Sequence, residues 1–187
     1  KANDSKSCVF LAGIDNNVSN DICHALQFPR DHLPMKYLGV PLITTKLKKV
    51  DCDELLRKIS ARITSWNSRF LSYAGRIQLI HSVLYGIQCY WSSMFILPKS
   101  VLKEMEKMMN RFLWNGNVTK SHGIEILWDK VCTPIKDGGL GLKILSDLNT
   151  VLNINHIWSI LSVNTQSLWD KWIYTYLLKN LSFRTVC

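Results

Sequence analysis

The stretch Met35–Trp66, MKYLGVPLITTKLKKVDCDELLRKISARITSW, changes its period at Pro41, and that change decides the fold. Before it, Tyr37, Leu38 and Val40 stand between Pro34 and Pro41 and read as a strand over 35–42, ended by a proline with no N–H to give a ladder. After it, Leu55, Leu56, Ile59, Ile63 and Trp66 fall on one face of a helix, with Asp51 at the N-cap position and Glu54 three residues on. The other faces of that helix are basic. Upstream, the apolar run Cys8–Ile14 reads as a second, buried strand between turns, and Ser19–Leu26 as a short helix. Two strands alone are marginal in water, so the pair reads as the edge of a larger sheet and predicts poor solubility.

Downstream the spacing predicts a helix over Tyr73–Ser92, with Ile77, Ile80, Leu84, Ile87 and Trp91 on one stripe and Gly75 and Gly86 as small positions. Pro98 opens another, with Val101, Leu102, Met105, Met108, Met109 and Phe112 facing inward and Asn115-Gly116-Asn117 closing it. Residues 117–143 read as loop-rich around Leu127-Trp128, with a turn at Asp137–Gly141, before helices near Ser146–Ser162 and Ser167–Asn180. The expectation is a mainly α chain with a small β portion, divided into 1–42, 43–117 and 118–187.

The 187 residues carry 23 Lys+Arg against 14 Asp+Glu, a net charge of +9 that favours polyanionic partners. Between Lys46 and Arg76 eight cations face three carboxylates, so more than half of that excess sits in one window. The six cysteines form no C-x-x-C pair, and the chain shows no apolar leader; reduced thiols and an intracellular place, nucleus or cytoplasm, follow as expectations. Ile77–Leu97 is the longest apolar candidate, and Gln78, His81, Ser82, Gln88, Ser92 and Ser93 make it too polar to span a membrane.

Catalytic constellations are sparse. Asp53-Glu54 lies in a first helical turn, where acids suit the helix dipole, and no Asp-Asp pair follows an apolar strand. Gly138-Gly139-Leu140-Gly141 lacks the preceding strand and following Lys-Ser or Lys-Thr of a phosphate loop. Cys23-His24 with His32 does not supply the four paired ligands of a zinc site, so no metal site is expected. What remains is a basic and aromatic surface from Lys46 to Arg76. Arg62, Arg69 and Arg76 suit phosphates; Trp66 reads either as a stacking platform or, the favoured alternative, as a core anchor.

Leu33-Pro34-Met35-Lys36-Tyr37-Leu38-Gly39-Val40-Pro41-Leu42 resembles a signature of reverse transcriptases of plant non-LTR, LINE-type retrotransposons. Ile63–Trp66, Leu71–Ile80, Tyr90–Ser93, Phe112–Gly116 and Gly138–Leu142 follow in the order and approximate spacing of the same family, so the resemblance covers nearly the whole chain. It implies the C-terminal edge of a polymerase palm in 1–42, a helical thumb in 43–117 and a helical extension in 118–187. Lys36, Tyr37, Leu38 and Gly39 would match the primer-grip region. Arg62, Trp66, Arg69 and Arg76 would belong to a thumb that holds an RNA·DNA or primer·template duplex. Lys6 matches a late-palm lysine near the incoming nucleotide, with a role in pyrophosphate departure. The family's Asp-Asp turn, with its Mg2+, is expected upstream of Lys1 in a full-length parent, so this chain alone is expected to be inactive and to need the remainder of the polymerase. The alternative is a non-catalytic helical scaffold left from a decayed retroelement.

Overall fold

The computed structural model describes residues 7–66, 71–116, 126–162 and 167–178. The chain divides into two units, Lys1–Lys46 and Leu47–Cys187.

In the first unit the Asp15 carboxylate accepts the Asn16 N–H at 2.8 Å and starts α1, Asn16–Leu26, three residues before the Ser19 expected from sequence. Gln27, in the left-handed region, ends it. The buried strand expected over Cys8–Ile14 does not form. Val9 alone makes a parallel bridge to Arg30, donating to the Pro29 carbonyl and accepting from the Asp31 N–H, and residues 12–14 lie exposed. Gly13, at φ 73°, breaks the extended run before a ladder can grow.

Both strands come instead from 35–42, which folds back on itself: β1, Met35–Tyr37, pairs antiparallel with β2, Val40–Leu42. The register Met35↔Leu42, Lys36↔Pro41, Tyr37↔Val40 leaves a two-residue turn, Leu38-Gly39. Both turn residues have positive φ, 50° and 82°, as the tight turn that matches strand twist requires. Pro41 fits because this two-stranded sheet has only edges. Mainly helical structure with a small antiparallel sheet is thus the architecture, as expected, with the strands drawn differently.

The second unit is a helical bundle. Asp51 is not the N-cap of the next helix: its carboxylate reaches back to the Lys48 N–H at 2.7 Å across a 3-10 turn, Val50–Cys52, that leads into α2, Asp53–Ser65. Asp53 and Glu54 occupy the first turn of α2, and Leu55, Leu56, Ile59 and Ile63 are its buried face. The helix expected over 73–92 is continuous but not uniform. Ser72 caps α3, Tyr73–Leu79, through the Gly75 N–H; a π-helical turn, Ile80–Leu84, follows, and then α4, Tyr85–Ser92. α5, Lys99–Asn115, buries Val101, Leu102, Met105, Met109, Phe112 and Leu113 and ends at Gly116 in the left-handed region. It packs against α2, α3, the short α6, Trp128–Val131, and α7, Leu145–Leu161.

Between α4 and α7 the packing is polar. Gln88, fully buried, donates to Ser92 Oγ at 3.2 Å and the Leu145 carbonyl at 3.3 Å. The Asn149 amide donates to Ser92 Oγ and the Phe95 carbonyl and accepts the Leu97 N–H; Asn153 donates to the Ser92 carbonyl. Tyr85 Oη accepts the Lys143 N–H at 2.8 Å and donates to the Lys143 carbonyl. The turn before α7 is closed on itself: the Gly138, Gly139 and Gly141 amides donate to the Ile135, Pro134 and Thr133 carbonyls. A Cβ on Gly139 would sit 2.0 Å from the Thr133 carbonyl oxygen, so only glycine fits. α8, Leu168–Trp172, is capped by Ser167 and runs into a π-helical turn, Ile173–Leu177.

Candidate functional site

Lys36, Tyr37, Leu38 and Gly39 are brought together at the hairpin: β1 carries the first two, and the last two form its turn. Lys36, Tyr37 and Leu38 are all exposed. Leu38 is the informative one. A non-glycine side chain in the left-handed region costs roughly 1–2 kcal/mol, and at 74% exposure burial of the leucine offsets little of it. Leu38→Asn, which relaxes that strain, is therefore expected to stabilise the chain by about 0.5–1 kcal/mol in urea unfolding. A loss of stability instead would show that the leucine side chain is held by packing.

In the second unit the sequence-selected residues separate by role. Arg62 is exposed on α2, beside Lys58, Ala61 and Ser65 and with Ile87 of α4, along a shallow basic depression. Lys58 and Arg62 are both exposed on this face, and Arg57 pairs with Glu54 on the same helix. Trp66 and Arg76 converge elsewhere, on the C-terminal end of α5. The Trp66 ring packs on Phe112 with centroids 5.1 Å apart, as the core-anchor alternative expected. Arg76 Nη1 donates to the Leu113 carbonyl at 3.1 Å and the Trp114 carbonyl at 3.2 Å, while Tyr73 packs on Trp114 at 5.3 Å. Arg69 and Lys6 lie outside the described residues.

Sequence reasoning passed over one feature. Lys99, Lys103, Lys107 and Arg111 recur every four residues on α5, and the apolar positions of the same helix drew the reading away from them.

The thiols offer little chemistry where they are buried. Burial, with Asp51 and Asp53 nearby, pushes the Cys52 thiol up to about 11; burial and then Glu106, Asp129 and Asp147 push Cys132 up to about 12. Cys8, Cys23, Cys52, Cys89 and Cys132 are free thiols. Among the described residues no group of three His, Cys, Asp or Glu is placed to hold a metal ion, and no helix is long and apolar enough to cross a membrane.

No protein-family model matches the chain. Over 130 residues it is 32% identical to an Arabidopsis thaliana protein named "Putative ribonuclease H protein". That alignment takes in 70% of this chain but 21% of the relative, so the chain spans about a fifth of the plant protein it resembles. The likeness ties the chain to a plant protein of nucleic-acid-related name, and it leaves the polymerase reading to the residues themselves.

Proposed function

We propose that this chain forms the palm end and helical thumb of an RNA-directed DNA polymerase of the plant non-LTR type, holding a primer·template duplex through its phosphates without reading bases. In this reading 1–42 is the palm edge, 43–117 the thumb and 118–187 a helical extension. The observation that carries it is the Lys36-Tyr37-Leu38-Gly39 signature on a strained, exposed hairpin turn, followed in sequence by a helical unit whose α2 presents Lys58 and Arg62 outward. A relative named for ribonuclease H fits a chain that handles nucleic acid. These 187 residues hold no adjacent Asp-Asp pair, so the role proposed for them is grip and not phosphoryl transfer; Mg2+ would belong to a carboxylate pair in a longer parent.

The test is binding of the chain to a labelled RNA·DNA primer·template across a salt series, with Lys58→Gln/Arg62→Gln in parallel. Each phosphate that is no longer neutralised lowers the slope of log K against log salt by about 0.9, so the double change is expected to flatten it by about 2. Binding that is weak and unmoved by the change would instead favour the scaffold alternative. One observation speaks for that alternative: the outer faces of α7 and α8 expose Val151, Ile154, Trp158, Leu168 and Trp172, Leu168 at 84%.

A further inference from the structure

α5 carries Lys99, Lys103, Lys107 and Arg111 at an unbroken four-residue interval. Residues four apart on a helix have Cβ atoms roughly 5–6 Å apart, and an i, i+4 row forms a ridge inclined to the helix axis. The four therefore make an oblique line of positive charge that rises about 18 Å along the axis. Lys99, Lys103 and Lys107 are exposed, and Arg111 is half-buried. Ser100, Glu104 and Met108 line the same shallow depression as Lys103, Lys107 and Arg111.

The carboxylates on this helix do little to cancel the row. Glu104 is paired at 2.7 Å with Lys49, a cation supplied from before α2. Glu106 is half-buried, where burial pushes its carboxyl up against the opposing effects of a Leu145 backbone hydrogen bond and the Lys103 charge, so it offsets part of the charge at Lys103 alone. Among the described residues Lys99, Lys103 and Lys107 enter no ion pair.

We infer that the α5 ridge is a second nucleic-acid track, which follows a sugar-phosphate backbone through Lys99, Lys103, Lys107 and Arg111. A line of charges repeating at a fixed short interval suits a polymer of evenly spaced anions, whereas a compact anion needs converging donors, which a convex helix does not provide. An anionic membrane is the competing surface. An interfacial helix must push an apolar face into the lipid, and the apolar face of α5 is already spent on the core, with Val101, Leu102, Met105, Met109, Phe112 and Leu113 all buried. The inference holds for any nucleic-acid ligand and does not rest on the polymerase reading.

The experiment compares the 187-residue chain with Lys99→Gln/Lys103→Gln/Lys107→Gln and with Lys58→Gln/Arg62→Gln. Each is titrated with a labelled RNA·DNA duplex, a labelled single strand, and vesicles containing phosphatidylserine, over about 50–200 mM salt, with a thermal melt to certify folding. These exposed changes are expected to leave the melt unmoved. The triple change is expected to flatten the duplex salt slope by about 2.7 and to weaken binding at least roughly tenfold at the low-salt end. Unchanged affinity and slope in the triple variant would overturn the inference and return the ridge to a solvated face; binding to vesicles but to neither nucleic acid would overturn it in favour of a lipid surface. If the triple variant loses binding while the α2 pair keeps it, the ridge stands and the thumb-grip reading built on Arg62 falls.

Discussion

Phe112→Ala is expected to destabilise the second unit by about 3–5 kcal/mol, enough to unfold a marginal domain at physiological temperature. Phe112 is fully buried near the C-terminal end of α5, on the face that also buries Met105, Met109 and Leu113. Deleting its ring leaves a cavity on the buried face of α5, the helix against which α2 and α3 both pack, and close packing around it limits how far the neighbours can collapse. Trp66 covers that ring, and here the prediction bears on function. Trp66→Ala should cost less, because the indole is half-buried, and the two changes should couple by about 0.5–1.5 kcal/mol in a double-mutant cycle read by urea unfolding. Coupling near zero would free Trp66 from the core and restore it as a candidate base-stacking platform.

The architecture was legible where the period was long. The buried face of α2, the extent of the helix pair over 73–92 and the Gly116 stop of α5 all follow from helical spacing and end signals. Short apolar runs misled. Cys8–Ile14 and Met35–Leu42 each satisfy a strand template, yet one meets a single bridge and the other makes both strands, because positive φ at Leu38, a leucine rather than the usual Asn or Asp, hides the turn inside the run. The π-helical turn at Ile80–Leu84 leaves the apolar stripe continuous and so gives no signal. In α7 the inward face mixes Leu145 and Ile160 with Asn149 and the half-buried Asn153, which bind backbone and Ser92, while Ile154 and Trp158 face outward; a polarity rule misplaces these residues. Of the residues singled out from sequence, Lys36 and Arg62 are exposed. Trp66 and Arg76 meet their partners at Phe112, Leu113 and Trp114 of α5, more than 35 residues away in sequence, and nothing local could supply that.

Arg76→Ala is expected to cost about 2–3 kcal/mol, a second large effect and one that would masquerade as a binding defect. A helix leaves its last four carbonyls without intrahelical donors. At the end of α5, Gly116 N–H takes the Phe112 carbonyl at 2.8 Å, and the Arg76 guanidinium takes those of Leu113 and Trp114. These are charge-assisted bonds in a half-buried place, each in the range of roughly 1.5–3 kcal/mol, with water replacing part of them once the guanidinium is removed. Cationic charge at a helix C-terminus also meets the favourable end of the dipole. Arg76→Lys, which keeps the charge at the helix C-terminus but on a shorter side chain without the planar guanidinium, should recover about half of the loss. Measured well below the melting temperature and per folded molecule, duplex affinity and salt slope should match the unmodified chain in both variants. If Arg76→Ala instead melts like the parent and flattens the slope by about 0.9, the guanidinium is a phosphate ligand after all, and the cap is incidental. The stability measurement therefore has to precede the binding one, since a variant that unfolds would give the same apparent loss of affinity for a reason that concerns α5 and not the nucleic acid.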